Sequence, residues 1–149
     1  MISGYKFGSC LATFANCADR YCREGYGGGA NDIEKMLDMA CSVEDIDGLE
    51  LVGNWHVNDD NIFKVGDMFK KRNLEICMLV PDLWTQAKWG KGSFASTDKK
   101  IRQQAVAEVK KVMDWAAQLN CPYVDVWLGQ DGYDYSMQEI GRASCRERV

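Results

Sequence analysis

The feature that most constrains the fold is a seven-residue stretch, residues 74–80, reading LEICMLV. A nearly continuous apolar run of this length, flanked by Lys70, Lys71 and Arg72 on one side and Pro81 on the other, reads as a strand buried on both faces. Strands of that kind belong to parallel sheets with helices packed on them. The residues around it follow the same logic. Before it, residues 31–43 place Ile33, Met36, Leu37, Ala40 and Cys41 on one helical stripe, with Asn31 as the expected cap. Residues 48–52 read as a strand, and a further helix opens at Asn58, Asp59 and Asp60 and ends near Arg72, its cations suiting the negative end of the helix dipole. A first strand is expected over residues 5–11.

After it, residues 98–119 form a long amphipathic helix. Ile101, Ala105, Val109, Val112, Met113 and Ala116 are its expected apolar stripe; Ser96, Thr97 and Asp98 offer caps, and Asn120 with Pro122 ends it. Residues 123–128, YVDVWL, read as a fourth strand, stopped by Gly129 and followed by a polar, aromatic turn with Gln130, Asp131, Tyr133 and Asp134. The order β-α-β-α-β-α-β predicts an α/β fold of parallel (β/α) units. Either an open doubly wound sheet or a (β/α)8 barrel satisfies it. A complete barrel takes about 250 residues, so residues 1–139 are expected to be the N-terminal half of a TIM barrel. Residues 140–149, IGRASCRERV, have no apolar period and resemble a translated sequencing adapter, so they are expected to be an artefactual tail.

Composition narrows the function classes. The whole chain carries −4, and the tail's three arginines and one glutamate contribute +2, leaving −6 over residues 1–139. A fragment this acidic is unsuited to clamping a phosphate backbone, which argues against a nucleic-acid partner. At 46% hydrophobic residues the chain is globular. It has no apolar run near the roughly 18 residues of a membrane span and no signal-peptide pattern. Cysteines 10, 17, 22, 41, 77 and 121 show no repeated spacing; Cys41, Cys77 and Cys121 read as small core residues, suiting a reducing cytoplasm.

Chemistry in a parallel α/β fold gathers at the C-terminal ends of the strands. The first such end leads into a long loop with Asp19, Arg20, Tyr26 and Gly27, Gly28 and Gly29, either a lid over a polyol or a connector pinned by its Asp–Arg pair. It has no phosphate-binding glycine spacing. The second end carries Asn54, Trp55, His56 and Asp59, the third Asp82, Trp84, Trp89, Lys91 and Phe94, and the fourth Trp127, Gln130 and Asp131.

Several of these stretches resemble the xylose isomerase superfamily. GSFASTD with Arg102 is similar to its Gly-x-Phe-Thr-x-x-Asp loop, MDWAAQLN to its Asp-Leu-Ala-x-x-Leu-Gly helix end, and VDVWLGQDG to its strand ending in Trp-x-Gly. Xylose isomerase-like TIM-barrel sugar isomerases, several with a GQDGYDY turn, share this pattern. The resemblance implies a sugar isomerase or epimerase that uses a divalent metal (Mg²⁺, Mn²⁺ or Co²⁺). The metal's ligands would come from the fifth strand onward, so none is expected here. It implies a catalytic His56 relaying a proton during ring opening, with Asp59 holding its ring, although NWHVND departs from the family's Phe-His-Asp-Asp-Asp. It implies Trp127 as a sugar-stacking wall and Phe94 as a loop aromatic reaching a neighbouring subunit, hence a homo-oligomer. Gln130 and Asp131, with Asp82, Trp89 and Lys91, would meet substrate hydroxyls. Gly129-Gln130-Asp131-Gly132 replaces the family's Gly-Arg-Glu-Gly, which leaves the sugar open. Two other readings stand beside this one: an endonuclease IV-like phosphodiesterase, which needs more histidines than the single one present, and a non-enzymatic half-barrel that self-associates.

Overall fold

In the computed structural model, which describes residues 4–16, 29 and 31–128, three parallel strands carry three helices. The order is β1 (Phe7–Cys10), α1 (Ile33–Cys41), β2 (Ile46–Val52), α2 (Ile62–Lys71), β3 (Glu75–Val80) and α3 (Lys99–Leu119). Strand order in the sheet is β1-β2-β3, and both pairings are parallel. The expected α/β class of parallel (β/α) units is therefore present.

The fourth expected strand is much shorter than residues 123–128. Among the described residues it is a single parallel bridge, Leu79 to Val124. Leu79 N–H donates to the Tyr123 carbonyl and Asp125 N–H to the Leu79 carbonyl, each at 3.0 Å. A ladder secured on one side at one residue does not hold the following Val126 and Trp127 in register; both are exposed.

One face of the sheet is the core face. Leu49, Leu51 and Leu79 are fully buried against Leu37, Phe69, Val112 and Trp115 from the three helices. Because side chains alternate along a strand, Glu50 points to the opposite face, where the register sets it between Cys10 and Met78. Burial there, and then the Glu50 carboxylate, push the Cys10 thiol up to about 11.

Helix ends follow local hydrogen bonding, with some departures from expectation. Asp32, not Asn31, caps α1 by accepting from Lys35 N–H at 2.8 Å. Asn31 instead donates to the Phe14 carbonyl at 2.7 Å and ties the start of α1 to the helical turn, Leu11–Phe14, that follows β1. Asn58, Asp59 and Asp60 form the turn before α2, and Asn61 is the cap. The Asn58 side-chain oxygen accepts from Asp60 and Asn61 N–H, which holds that turn outside the helix. Asp98 caps α3, and Asn120 ends it in the left-handed conformation at φ 54°. Met113 lies outside the buried stripe at 55% exposed, and Trp115 takes its place at 2%. Cys41, in the last turn of α1, is exposed and not a core residue.

Close approach between β2 and α3 depends on Gly53. A Cβ there would sit 2.9 Å from Val112 Cγ2 and 3.2 Å from Trp115 Cζ3. Gly53→Ala is expected to destabilise the fold by about 1–3 kcal/mol through overpacking, read from urea unfolding. An unchanged midpoint would show that α3 can retreat without cost. Among the described residues, no helix is long and apolar enough to cross a membrane.

Candidate functional site at the strand ends

Beyond β2 the chain makes a tight loop, residues 53–57, closed by backbone hydrogen bonds. Asn54 N–H donates to the Val57 carbonyl at 2.7 Å and His56 N–H to the Val52 carbonyl at 2.8 Å. Asn54 sits at φ 58°, a region that asparagine tolerates. Its side-chain amide donates to Glu108 on α3. The loop turns the His56 ring inward, where it is 1% exposed and stacks on Trp55 at 5.2 Å between centroids and 17° between planes.

The ring of His56 is oriented by backbone. Val52 N–H donates to Nδ1 at 2.9 Å, so in the neutral ring the proton resides on Nε2. This differs from the arrangement that the resemblance implies, in which Asp59 holds the ring. Asp59 Oδ1 accepts from Trp115 Nε1–H at 2.8 Å, and Oδ2 pairs with Lys111 Nζ at 3.0 Å. Those two contacts, the lysine's first, hold the Asp59 carboxyl below its ordinary pKa. Three residues past His56 the chain has already turned toward α3, so Asp59 joins loop to helix. His56 itself borders a cavity of about 470 Å³ between the start of α1 and the start of α2, lined also by Asn31, Glu34, Trp55, Asn61 and Lys64.

Beyond β3 the side chains expected to meet substrate divide into three groups. Asp82 is fully buried. Its carboxylate accepts from Thr85 N–H at 3.0 Å, from the Thr85 hydroxyl, and from Trp84 N–H at 3.4 Å. It therefore shapes the turn that presents Trp84. Trp89, 3% exposed, forms a second small core with Leu83 and Ala105, and Phe94 packs half-buried against it. Both aromatics thus anchor the loop to α3 within their own chain, Trp89 with Lys88 Nζ 4.4 Å above its ring. Lys91 is exposed.

Trp127 meets Trp84 edge-on, with ring centroids 4.7 Å apart and planes at 77°. Trp127 stays 46% exposed, so the pair is a braced aromatic surface at the C-terminal side of β3. Sequence spacing had not paired these indoles, since 43 positions separate them and only the parallel bridge at Val124 brings them together. Gln130, Asp131, Asp19, Arg20 and Tyr26 lie outside the described residues. Among the described residues, no three His, Cys, Asp or Glu side chains converge to hold a metal ion. No protein-family model matches the chain.

Proposed function

We propose that this chain is the N-terminal half of a (β/α)8 sugar isomerase or epimerase of the cytoplasm. The observation that carries the reading is the Trp84–Trp127 pair, a half-exposed aromatic surface braced edge-to-face where a parallel α/β fold puts its ligands. Sugars place their C–H faces on such rings while neighbouring polar groups take the hydroxyls. In this reading Trp127 is the substrate wall and Asp82 holds the turn that braces it. Lys91 is an exposed cation on the same loop, and His56, fixed in its Nε2–H tautomer, is the proton carrier.

The chemistry is aldose–ketose interconversion or inversion beside a carbonyl, and the divalent metal of such reactions polarises that carbonyl. Among the described residues no donor set for that ion comes together. The resemblance in residues 89–135 adds weight to the sugar reading, as does the charge of −6 over residues 1–139 against a phosphodiester substrate.

The test is a protein translated from source DNA through and beyond Glu139, assayed with Mn²⁺ against pentoses and hexoses by proton exchange at C2. Conversion of at least one sugar is expected, with Trp127→Ala raising KM roughly tenfold, the scale of one lost stacking contact. Failure of every sugar, or turnover by the 149-residue chain alone, would sink the proposal.

A further inference from the structure

We propose that Asn61 is a positioning residue for His56, holding the loop that carries the imidazole so that the ring keeps one orientation and one tautomer. The inference rests on the reading of His56 as the proton carrier, and goes beyond it in naming what keeps that ring in place.

A ring that moves a proton must be held at a fixed angle, because small displacements of a reacting group are costly in rate. On its upstream side His56 is held by the last residue of β2. Its N–H donates to the Val52 carbonyl at 2.8 Å, and Val52 N–H donates to Nδ1 at 2.9 Å. On its downstream side it is held by Asn61. Asn61 Nδ2–H donates to the His56 carbonyl at 3.1 Å, and Asn61 Oδ1 accepts from Asn58 N–H at 2.7 Å. One amide therefore spans Val57, which is fully buried and bridged to Gly53. Only one orientation of the amide serves both partners, since its nitrogen must face the carbonyl and its oxygen the N–H.

The two ends of that amide do different things. Asn58 and Asn61 exchange hydrogen bonds ahead of α2: Asn58 Oδ1 accepts from Asn61 N–H at 3.1 Å while Asn61 Oδ1 accepts from Asn58 N–H. This is the reciprocal pattern of a capping box, in which the second side chain needs only an acceptor, so a carboxylate serves as well as an amide. The Nδ2–H bond to the His56 carbonyl is no part of that pattern. It reaches back past the helix start to the residue that carries the ring. Asn61 also lines the cavity that His56 borders, so brace and ring share one wall.

The experiment uses the chain's single histidine. Nitrogen NMR of the imidazole in the 149-residue chain, at mildly alkaline pH where an ordinary imidazole is neutral, reads the tautomer of His56 directly. Asn61→Asp keeps the acceptor for Asn58 N–H and loses the donor to His56; Asn61→Ala loses both. The parent is expected to show Nε2–H as the dominant tautomer. In both variants the excess of that tautomer should fall roughly five- to tenfold, the scale of one lost hydrogen bond. The urea midpoint should separate the variants, staying near the parent's for Asn61→Asp and falling for Asn61→Ala, because only alanine breaks the capping box. Since alanine brings no charge, a tautomer change common to both variants comes from the lost bond. A parent ring not held as Nε2–H, parent-like ring signals in Asn61→Asp, or a tautomer change that merely follows the midpoint from variant to variant would overturn the inference. Sugar turnover by the longer protein is a separate measurement. Its failure would sink the isomerase reading and leave the hold on the ring standing, while parent-like ring signals would do the reverse.

Discussion

Trp115→Ala is expected to cost about 3–5 kcal/mol, enough to unfold a domain whose total stability is of the usual 5–15 kcal/mol. Trp115 is 2% exposed in the main core, and its ring edge lies where a Gly53 Cβ would be, so it fills the space between β2 and α3. Its Nε1–H also donates to Asp59, and Lys111 Nζ stands 4.6 Å above the ring. Trp115→Phe separates the contributions: it keeps much of the volume and loses the bond, for a smaller loss of about 1–2 kcal/mol. Urea unfolding followed by circular dichroism gives both values. A loss under about 1 kcal/mol for the alanine variant would show that α3 is not held through this side chain. The phenylalanine variant carries a second readout. Asp59 titrates below its ordinary range because Lys111 and Trp115 hydrogen-bond its ionised form. Without the indole its pKa should rise toward the ordinary value, measured by NMR. A carboxyl with a depressed folded pKa stabilises above its unfolded pKa and loses that contribution as pH falls through the folded one. The substitution should therefore soften the chain's acid sensitivity.

The layered fold was legible because burial in a parallel sheet leaves a one-dimensional trace. In LEICMLV only Leu79 and Val80 are buried, while Ile76, Cys77 and Met78 are half-buried, so the run marks the strand but not two covered faces; α1 and α3 show their stripes at helical spacing. Which long side chain fills a gap was less legible. Met113 and Trp115 both sit near the edge of the α3 stripe, and the glycine at 53, on another element, makes the gap that only the indole fills. The fourth strand had the right residues, but pairing is made between elements, and one bridge at Val124 is all that Leu79 offers it. At the site, residue types were legible and their partners were not. His56 to Asp59 is a family spacing, yet the turn at Asn58 swings Asp59 across to Lys111 and Trp115 while a backbone N–H takes the ring. Likewise the adjacency of Trp84 and Trp127 follows from strand order, which no local pattern reports.

Asp82→Ala is expected to cost about 2–4 kcal/mol, because it leaves the Thr85 N–H and hydroxyl and the Trp84 N–H without their acceptor beside a fully buried position. Asp82→Asn keeps one side-chain carbonyl for Thr85 N–H and should lose only about half as much. The comparison distinguishes two roles for this carboxylate. If it bound a substrate hydroxyl directly, the asparagine variant would weaken sugar binding while leaving unfolding unchanged. If it holds the turn, as the hydrogen bonds indicate, the loss appears first in stability. It should also appear in the spectroscopic coupling of Trp84 with Trp127, because Trp84 N–H is one of its donors and the indole moves with that backbone. The far-ultraviolet exciton signal of the indole pair should therefore fall in step with the unfolding midpoint, alanine more than asparagine. An Asp82→Ala chain that unfolds like the parent with its exciton signal intact would return Asp82 to the substrate side. A chain that loses both places the carboxylate one residue layer behind the sugar, where it fixes the angle of the surface on which the sugar would rest.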